Sequence, residues 1–161
     1  MDRVNRILEH PLWKECIMQN EMAEANRSFC HHDIEHLCAV GRIAMLLNLE
    51  EGRGIPKDII YAAAFLHDCG RYKQYLEGIP HDEAGAEIAR QILPECGYNE
   101  DEINCIVDAI ASHRGSSVKV REGVLADVLY RADKMSRNCR ACKVYKECNW
   151  PEDMKGQRFC W

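Results

Sequence analysis

The chain has 161 residues, about the length of one domain. Hydrophobic residues make up 47% of it and charged residues 29%, which is ordinary for a globular protein. The net charge of −5 argues against an extended nucleic-acid-binding surface. A phosphorylated partner would therefore have to bind in a local basic pocket or through metal ions.

Cysteine is unusually frequent, with ten residues in the chain. In a secreted protein this number would suggest a disulfide scaffold. However, the N-terminal stretch contains no apolar signal core, and the longest apolar run, residues 59–66, is far shorter than the ~20 residues of a membrane span. We therefore predict a cytoplasmic protein with no membrane segment, whose thiols are buried, redox-active or bound to metal.

Almost every periodic segment of the chain predicts a helix. A mixed, charged helix is expected after Pro11, over residues 12–26. Asp33 is suited to cap the next helix, whose apolar residues recur at spacings of three and four, and Gly52 and Gly54 end it. No alternating strand pattern is evident.

The following segment, residues 57 to about 69, is apolar nearly all round, as expected of a helix in the middle of a bundle. Further helices are predicted over residues 82–93, 100–112 and about 120–137. Asn99 and Glu102 resemble a capping box at the start of the second of these. The predicted fold class is all-α: a single helical bundle over residues 1–137, with an irregular cysteine-rich extension, residues 138–161, packed on it.

Several polar residues fall on the apolar stripes of these helices or at their ends: His36, His67, Asp68, His113 and Asp133. Any single histidine among them is explained as a satisfied core or surface residue. Burying the whole set without compensation would be costly, above all for the carboxylates. We therefore predict that these side chains converge on a divalent cation.

Residues 61–71, with the His67–Asp68 pair near their end, resemble the signature helix of the HD superfamily of metal-dependent phosphohydrolases. Residues 29–44 resemble the first helix of that family, and the Asp-Lys pair at 133–134 resembles its closing motif. The family pattern is an upstream His, the His-Asp pair and a distal Asp. The residues that match it in order are His36, His67, Asp68 and Asp133.

Two further histidines, His81 and His113, give an order that resembles the two-metal branch of the superfamily. The resemblance implies that Asp68 bridges two divalent ions and that His81 and His113 hold the second ion. The candidate metals are Mn, Fe, Mg, Ni and Zn. Substrate contact or proton donation is the alternative role of these two histidines. No GYP motif follows, so the chain departs from the HD-GYP subgroup and a cyclic dinucleotide substrate is not expected.

The resemblance implies a hydrolase of a small phosphorylated substrate or a nucleotide, in which a metal-bound hydroxide is the nucleophile. The candidate catalytic residues are Asp68, Arg71 and Lys134, the two cations to hold the phosphate. The alternative for Arg71 and Lys134 is that they are solvated surface charges. Arg114 is expected to be one. His32, one helical turn before His36, is expected to be exposed or to cap the helix.

Two other functions are compatible with the same ligands. One is an HD-type di-iron oxygenase, because imidazole and carboxylate groups also suit iron. The other is a non-catalytic metal-binding regulatory module. The cationic residues near the predicted ligands favour hydrolysis.

The C-terminal extension has a Cys-x2-Cys pair and two more cysteines, which together form a candidate structural metal site: Cys139, Cys142, Cys148 and Cys160. Their spacing matches no standard zinc knuckle, so buried free thiols or a redox pair remain alternatives. The other six are expected to be small core residues: Cys16, Cys30, Cys38, Cys69, Cys96 and Cys105.

Overall fold

Helices make up the regular secondary structure of the computed structural model, which describes residues 1–113, 124–152 and 155. Eight α-helices occur in that part of the chain: α1 (Asp2–Glu9), α2 (Pro11–Glu24), α3 (Ile34–Glu50), α4 (Lys57–Leu66), α5 (Arg71–Leu76), α6 (His81–Glu95), α7 (Glu100–Ser112) and α8 (Val124–Met135). A short 3-10 helix, Cys139–Ala141, follows α8. The predicted all-α fold class is confirmed.

Helix α4 lies in the middle of the bundle, as its composition predicts. Seven of its ten residues are buried, and it contacts α1, α3, α6, α7 and α8. It ends at Leu66, about three residues earlier than predicted, because the chain turns over residues 67–70 before α5 begins. This turn carries the His67–Asp68 pair out of the helix and into the space between helix ends.

Helix starts follow the predicted capping chemistry closely. The Asp33 side chain accepts a hydrogen bond from the backbone N–H of His36 at 2.9 Å, which fixes the first turn of α3. Asn99 and Glu102 form a complete capping box at the start of α7.

Two short helices, α1 and α5, are absent from the sequence prediction. Helix α1 packs through Val4 and Ile7, and Arg3 anchors it by ion pairs to Asp58 and Glu102.

Helix α6 begins one residue earlier than predicted and continues through Pro94 to Glu95. The proline lies in the last turn, so only one backbone hydrogen bond is lost and the helix ends one residue later.

The cysteines follow the expectation only in part. Cys16, Cys69 and Cys96 are buried, but Cys30 and Cys105 are exposed, so the prediction of core positions is wrong for these two. Cys30 lies in the loop between α2 and α3, and Cys105 is an exposed residue of α7. These five cysteines are free thiols.

The predicted four-cysteine metal site stays a prediction. Its fourth member, Cys160, lies outside the described residues. Within residues 1–113, 124–152 and 155, neither of the groups of side chains able to hold a metal ion includes Cys139, Cys142 or Cys148. In the same ranges, no helix is long and apolar enough to cross a membrane.

Gly70 allows the turn after α4 to approach α6 closely. A Cβ atom at this position would lie 2.5 Å from the backbone nitrogen of Gly85 and 2.8 Å from the carbonyl carbon of Ala84. Because backbone atoms cannot move aside as a flexible side chain would, α6 or the turn would have to shift.

We therefore expect Gly70→Ala to lower the free energy of unfolding by about 1–3 kcal/mol, as overpacking does. The control is Gly52→Ala, where φ is 60° and nothing lies within 4 Å of a new Cβ. That variant should lose only the backbone cost, about 1 kcal/mol. Urea unfolding of both variants measures the difference, and equal losses would contradict the steric argument.

Candidate metal centre

Four predicted ligands meet in one buried cluster. The ligand atoms of His36, His67, Asp68 and Asp133 all lie within 4.8 Å of one another. His36 Nε2 is 3.3 Å from Asp68 Oδ2 and 3.3 Å from Asp133 Oδ1, and His67 Nε2 is 3.1 Å from Asp68 Oδ2. The predicted convergence of these side chains is confirmed; their role as metal ligands remains a prediction.

A second cluster shares Asp68 with the first. It consists of Asp68, His81 and His113, whose ligand atoms again lie within 4.8 Å of one another. The Nε2 atoms of His81 and His113 are 3.6 and 3.9 Å from Asp68 Oδ1. One carboxylate oxygen of Asp68 thus faces each cluster, which is the geometry of a bridging ligand.

Helix ends bring these residues together. His36 lies in the first turn of α3 and His81 is the first residue of α6, while His67 and His113 are the C-caps of α4 and α7. Asp133 lies in the last turn of α8. Side chains at helix ends can point along the helix axes into the space where the helices meet.

Asn20 of α2 fixes the turn that carries Asp68. Its side-chain Nδ2 donates to the Asp68 carbonyl oxygen at 2.9 Å, and its Oδ1 accepts from the backbone N–H of Tyr72 at 2.7 Å. Asn20 is itself buried. The backbone on both sides of Gly70 is therefore held by one side chain from another helix.

Hydrogen bonds at Nδ1 orient three of the histidine rings. His67 Nδ1 donates to the Ala64 carbonyl oxygen at 2.8 Å, and His113 Nδ1 donates to that of Ile110 at 2.5 Å. His36 Nδ1 donates to Ser136 Oγ at 3.1 Å, because the Ser136 hydroxyl itself donates to the Asp133 carbonyl oxygen. Each ring therefore turns Nε2 towards the cluster, as metal-binding histidines commonly do.

The electrostatics of the centre also suit a cation. Burial lowers the pKa of His67, but the charges of Asp68 and Asp133 outweigh this effect and raise it to about 10. Burial raises the pKa of each carboxyl, yet the surrounding histidines hold both well below their ordinary values. Burial and the charge of His67 lower the pKa of His113.

Two buried atoms of the centre remain without a hydrogen bond from any residue that the structure describes, His67 Nε2 and Asp68 Oδ2. They are 3.1 Å apart, but not in the alignment of a hydrogen bond. Leaving such atoms unpaired is costly, and a divalent ion between them would remove the cost. Imidazole nitrogens and carboxylate oxygens suit several first-row metals, so the residues present fit a divalent ion.

The candidate cations occupy different positions around the centre. Arg71 Nη1 lies 2.8 Å from His81 Nδ1, and Arg71 Nε donates to the Tyr75 hydroxyl at 3.2 Å. Lys134 Nζ donates to Asp133 Oδ2 at 2.7 Å and lies over the Trp150 ring. Lys134 therefore holds the far oxygen of a candidate ligand. Arg114 lies outside the described residues.

A buried Glu-His pair adjoins the centre, and sequence reasoning missed it. His32 is 6% exposed, so the expectation of an exposed or capping residue is wrong. It lies before the Asp33 cap, off the helix, and its Nδ1 donates to Glu24 Oε1 at 2.5 Å. Tyr75 donates to the same oxygen at 2.6 Å, and despite burial these bonds lower the pKa of Glu24 to about 2.

A signal for Glu24 was present in the sequence. Glu24 lies seven residues after Ile17 and four after Asn20, on the buried stripe of α2. A carboxylate on such a stripe needs a partner, just as the metal-ligand candidates do. The third missed residue, Arg137, follows Asp133 by four, and its side chain is only 9% exposed.

Comparison with known proteins agrees with the geometry. Residues 33–138 match the HD domain family. The chain is 43% identical to an uncharacterized protein of Clostridium beijerinckii over 155 residues, 96% of each chain. Its fold is similar to the crystal structure of a predicted HD superfamily hydrolase from an uncultured Thermotogales bacterium, with a TM-score of 0.63, 25% identity and coverage of 88% of this chain and 80% of that one. This chain belongs to the HD domain family.

Proposed function

We propose that this protein is a metal-dependent phosphohydrolase that acts on a small phosphomonoester, phosphodiester or nucleotide at a centre of two divalent ions. The observation that carries the proposal is the position of Asp68. Its Oδ2 lies near His36 and His67, while its Oδ1 lies near His81 and His113. The cluster of His36, His67, Asp68 and Asp133 would hold one ion, and that of Asp68, His81 and His113 a second, as in two-metal sites for phosphoryl transfer.

Bound divalent ions would supply an acidified water as nucleophile and would neutralise charge on the phosphoryl oxygens. The protein's own part is to hold and orient the reacting groups. Arg71 is placed beside His81, where it can bind a phosphoryl oxygen. Lys134 orients Asp133 by its hydrogen bond to Oδ2, which leaves Oδ1 directed at the centre.

Positive side chains beside the centre favour an anionic substrate over molecular oxygen. Arg71 and Arg137 lie on opposite sides of Asp68, next to His81 and His36 respectively. Molecular oxygen itself is neutral, so an oxygenase needs such charges only where its organic substrate is anionic. The hydrolase is therefore the better supported of the two enzyme classes.

Asp68→Asn should abolish metal-dependent hydrolysis in a screen of phosphomonoesters, phosphodiesters and nucleotides. The amide keeps the shape of the side chain but cannot bridge two cations through negative oxygens, so we expect a loss of about a hundredfold or more. The control is Asp108→Asn, because Asp108 is an exposed carboxylate of α7. Near wild-type hydrolysis by the Asp68 variant, with metal in excess, would refute the proposed site.

His81→Ala and His113→Ala should each reduce the bound metal from two ions per chain to one. Both rings face Asp68 Oδ1, and both belong only to the second group of candidate ligands. Elemental analysis of protein equilibrated with Mn²⁺ measures the stoichiometry, with His10→Ala as the control for loss of a histidine remote from the centre. Unchanged stoichiometry in both variants would show that these histidines serve another purpose.

Metal binding at pH 7 should release about one proton, since the pKa of His67 in the metal-free protein is raised to about 10 and the ion needs the neutral ring. Because protons and metal compete below that pKa, Mn²⁺ affinity should rise about tenfold per pH unit around neutrality. Calorimetric titration in two buffers of different ionisation enthalpy counts the protons. Binding without proton release would mean that His67 is already neutral.

A further inference from the structure

The Arg137 guanidinium enters the centre just beyond the end of α8. Its Nη1 donates to the His31 carbonyl oxygen at 2.8 Å. Its Nη2 lies 3.1 Å from His36 Nε2 and 3.9 Å from Asp133 Oδ1. The third nitrogen, Nε, is buried and has no hydrogen-bond partner in the described part of the chain. A nine-tenths buried cation with an unpaired donor is unusual and calls for a ligand.

Arg137 and a metal ion need the same lone pair. The Nδ1–H of His36 is directed at Ser136, so Nε2 carries the only lone pair of the neutral ring. In the metal-free protein this lone pair accepts a hydrogen bond from Arg137 Nη2. A divalent ion bound to His36 would use that lone pair, and the hydrogen bond from Arg137 would have to break.

The released Nη2–H and the unpaired Nε–H together suit one kind of ligand. Nη1 still binds the His31 carbonyl, so the guanidinium stays tethered beside the centre. Nε–H and Nη2–H lie on one edge of the planar group and point in parallel. That fork matches two oxygens of a phosphate, which is why arginine binds phosphate through two bonds at once.

A cleft beside this position offers room for the rest of a substrate. It has a volume of about 390 Å³ and lies between residues 28–33 and residues 138–144. His31, whose carbonyl holds Arg137, is one of its lining residues. The residue that tethers Arg137 and the residue that follows Arg137, Asn138, therefore both border this cleft.

We propose that Arg137 is a phosphate clamp that metal loading releases: its guanidinium holds His36 Nε2 in the metal-free protein and binds a phosphoryl group through Nε and Nη2 once the ions are in place. The proposal rests on the proposed metal centre and deepens it. It requires that metal and phosphate bind with positive coupling, since the ion frees the donors that the anion uses.

The test is calorimetric titration of inorganic phosphate into Mn²⁺-loaded wild type, Arg137→Gln and Arg131→Gln. Arg131 is the matched control, because it lies on the same helix and pairs with Glu51 and Asp127 away from the centre. Losing a charge-assisted, two-bond contact should weaken phosphate binding by at least about tenfold in Arg137→Gln. Arg131→Gln should stay within about twofold of wild type, as expected for an exposed ion pair.

Binding of Mn²⁺ alone separates this role from a merely structural one. Arg137→Gln should bind the same number of ions as wild type with equal or higher affinity, because the competing donor is gone. Arg137→Lys keeps the charge but lacks the fork, so it should bind Mn²⁺ normally and phosphate weakly. Loss of Mn²⁺ binding in Arg137→Gln, or equal phosphate affinity in both glutamine variants, would overturn the proposal.

Failure of the clamp and failure of the hydrolase can be told apart. If wild type hydrolyses phosphate esters while Arg137→Gln binds phosphate as tightly as wild type does, only the clamp is refuted. If the clamp behaves as proposed but wild type hydrolyses none of the phosphorylated substrates, only the hydrolase is refuted. Metal-loaded wild type that binds no phosphate at all would refute the clamp directly.

Discussion

A carboxylate buried in the turn after α4 determines where the surrounding helices must begin and end. Asp68 is 2% exposed and keeps a pKa well below the ordinary value, so it is charged inside the bundle. Such a charge is tolerated only when opposite charge surrounds it. The adjacent His67, whose pKa is raised, supplies positive charge, and ring nitrogens of histidines from α3, α6 and α7 lie 3.3, 3.6 and 3.9 Å from the Asp68 oxygens, so each of these helices must end or begin near Asp68.

The burial of the apolar helix α4 offsets the free-energy cost of burying the Asp68 charge. Its residues from Ile59 to Leu66 fill the centre of the bundle and leave the polar pair at its end. The neighbouring helices cover α4 and, in doing so, bring their own ends to the same place. The close approach of Gly70 to Gly85 then sets the distance between the turn and α6, which carries His81.

Sequence periodicity predicts the long helices and the ligands that share their stripes. His36 and Asp133 could be assigned to the interior because their apolar neighbours recur at three and four residues. The spacing of Asn99 and Glu102 likewise predicts the capping box at the start of α7. Helices α1 and α5 were not, because eight and six residues are too few for a repeating pattern to appear.

Residues that act through long-range contacts were harder to predict. Arg137 looks like an ordinary surface arginine in sequence, since arginine is rarely buried without a partner. The expectation that His32 is exposed or caps the helix is wrong because its partner, Glu24, belongs to α2 and does not show in the sequence around His32. The buried stripe of α2 marks Glu24 but does not identify His32 as its partner, and the Arg137–His36 contact leaves no periodic trace, because in both cases the partners belong to different segments.

Helix α2 contributes none of the candidate ligands, yet two of its side chains form hydrogen bonds to segments of the centre. Asn20 holds the backbone of the Asp68 turn, and one helical turn later Glu24 holds His32. Because one rigid helix fixes both the Asp68 turn and His32, these two segments cannot easily move relative to each other. The positions of the candidate ligands therefore depend on the orientation of α2. A substitution that tilted the axis of α2 would displace the Asp68 turn and His32, although every candidate ligand would still be present in the sequence.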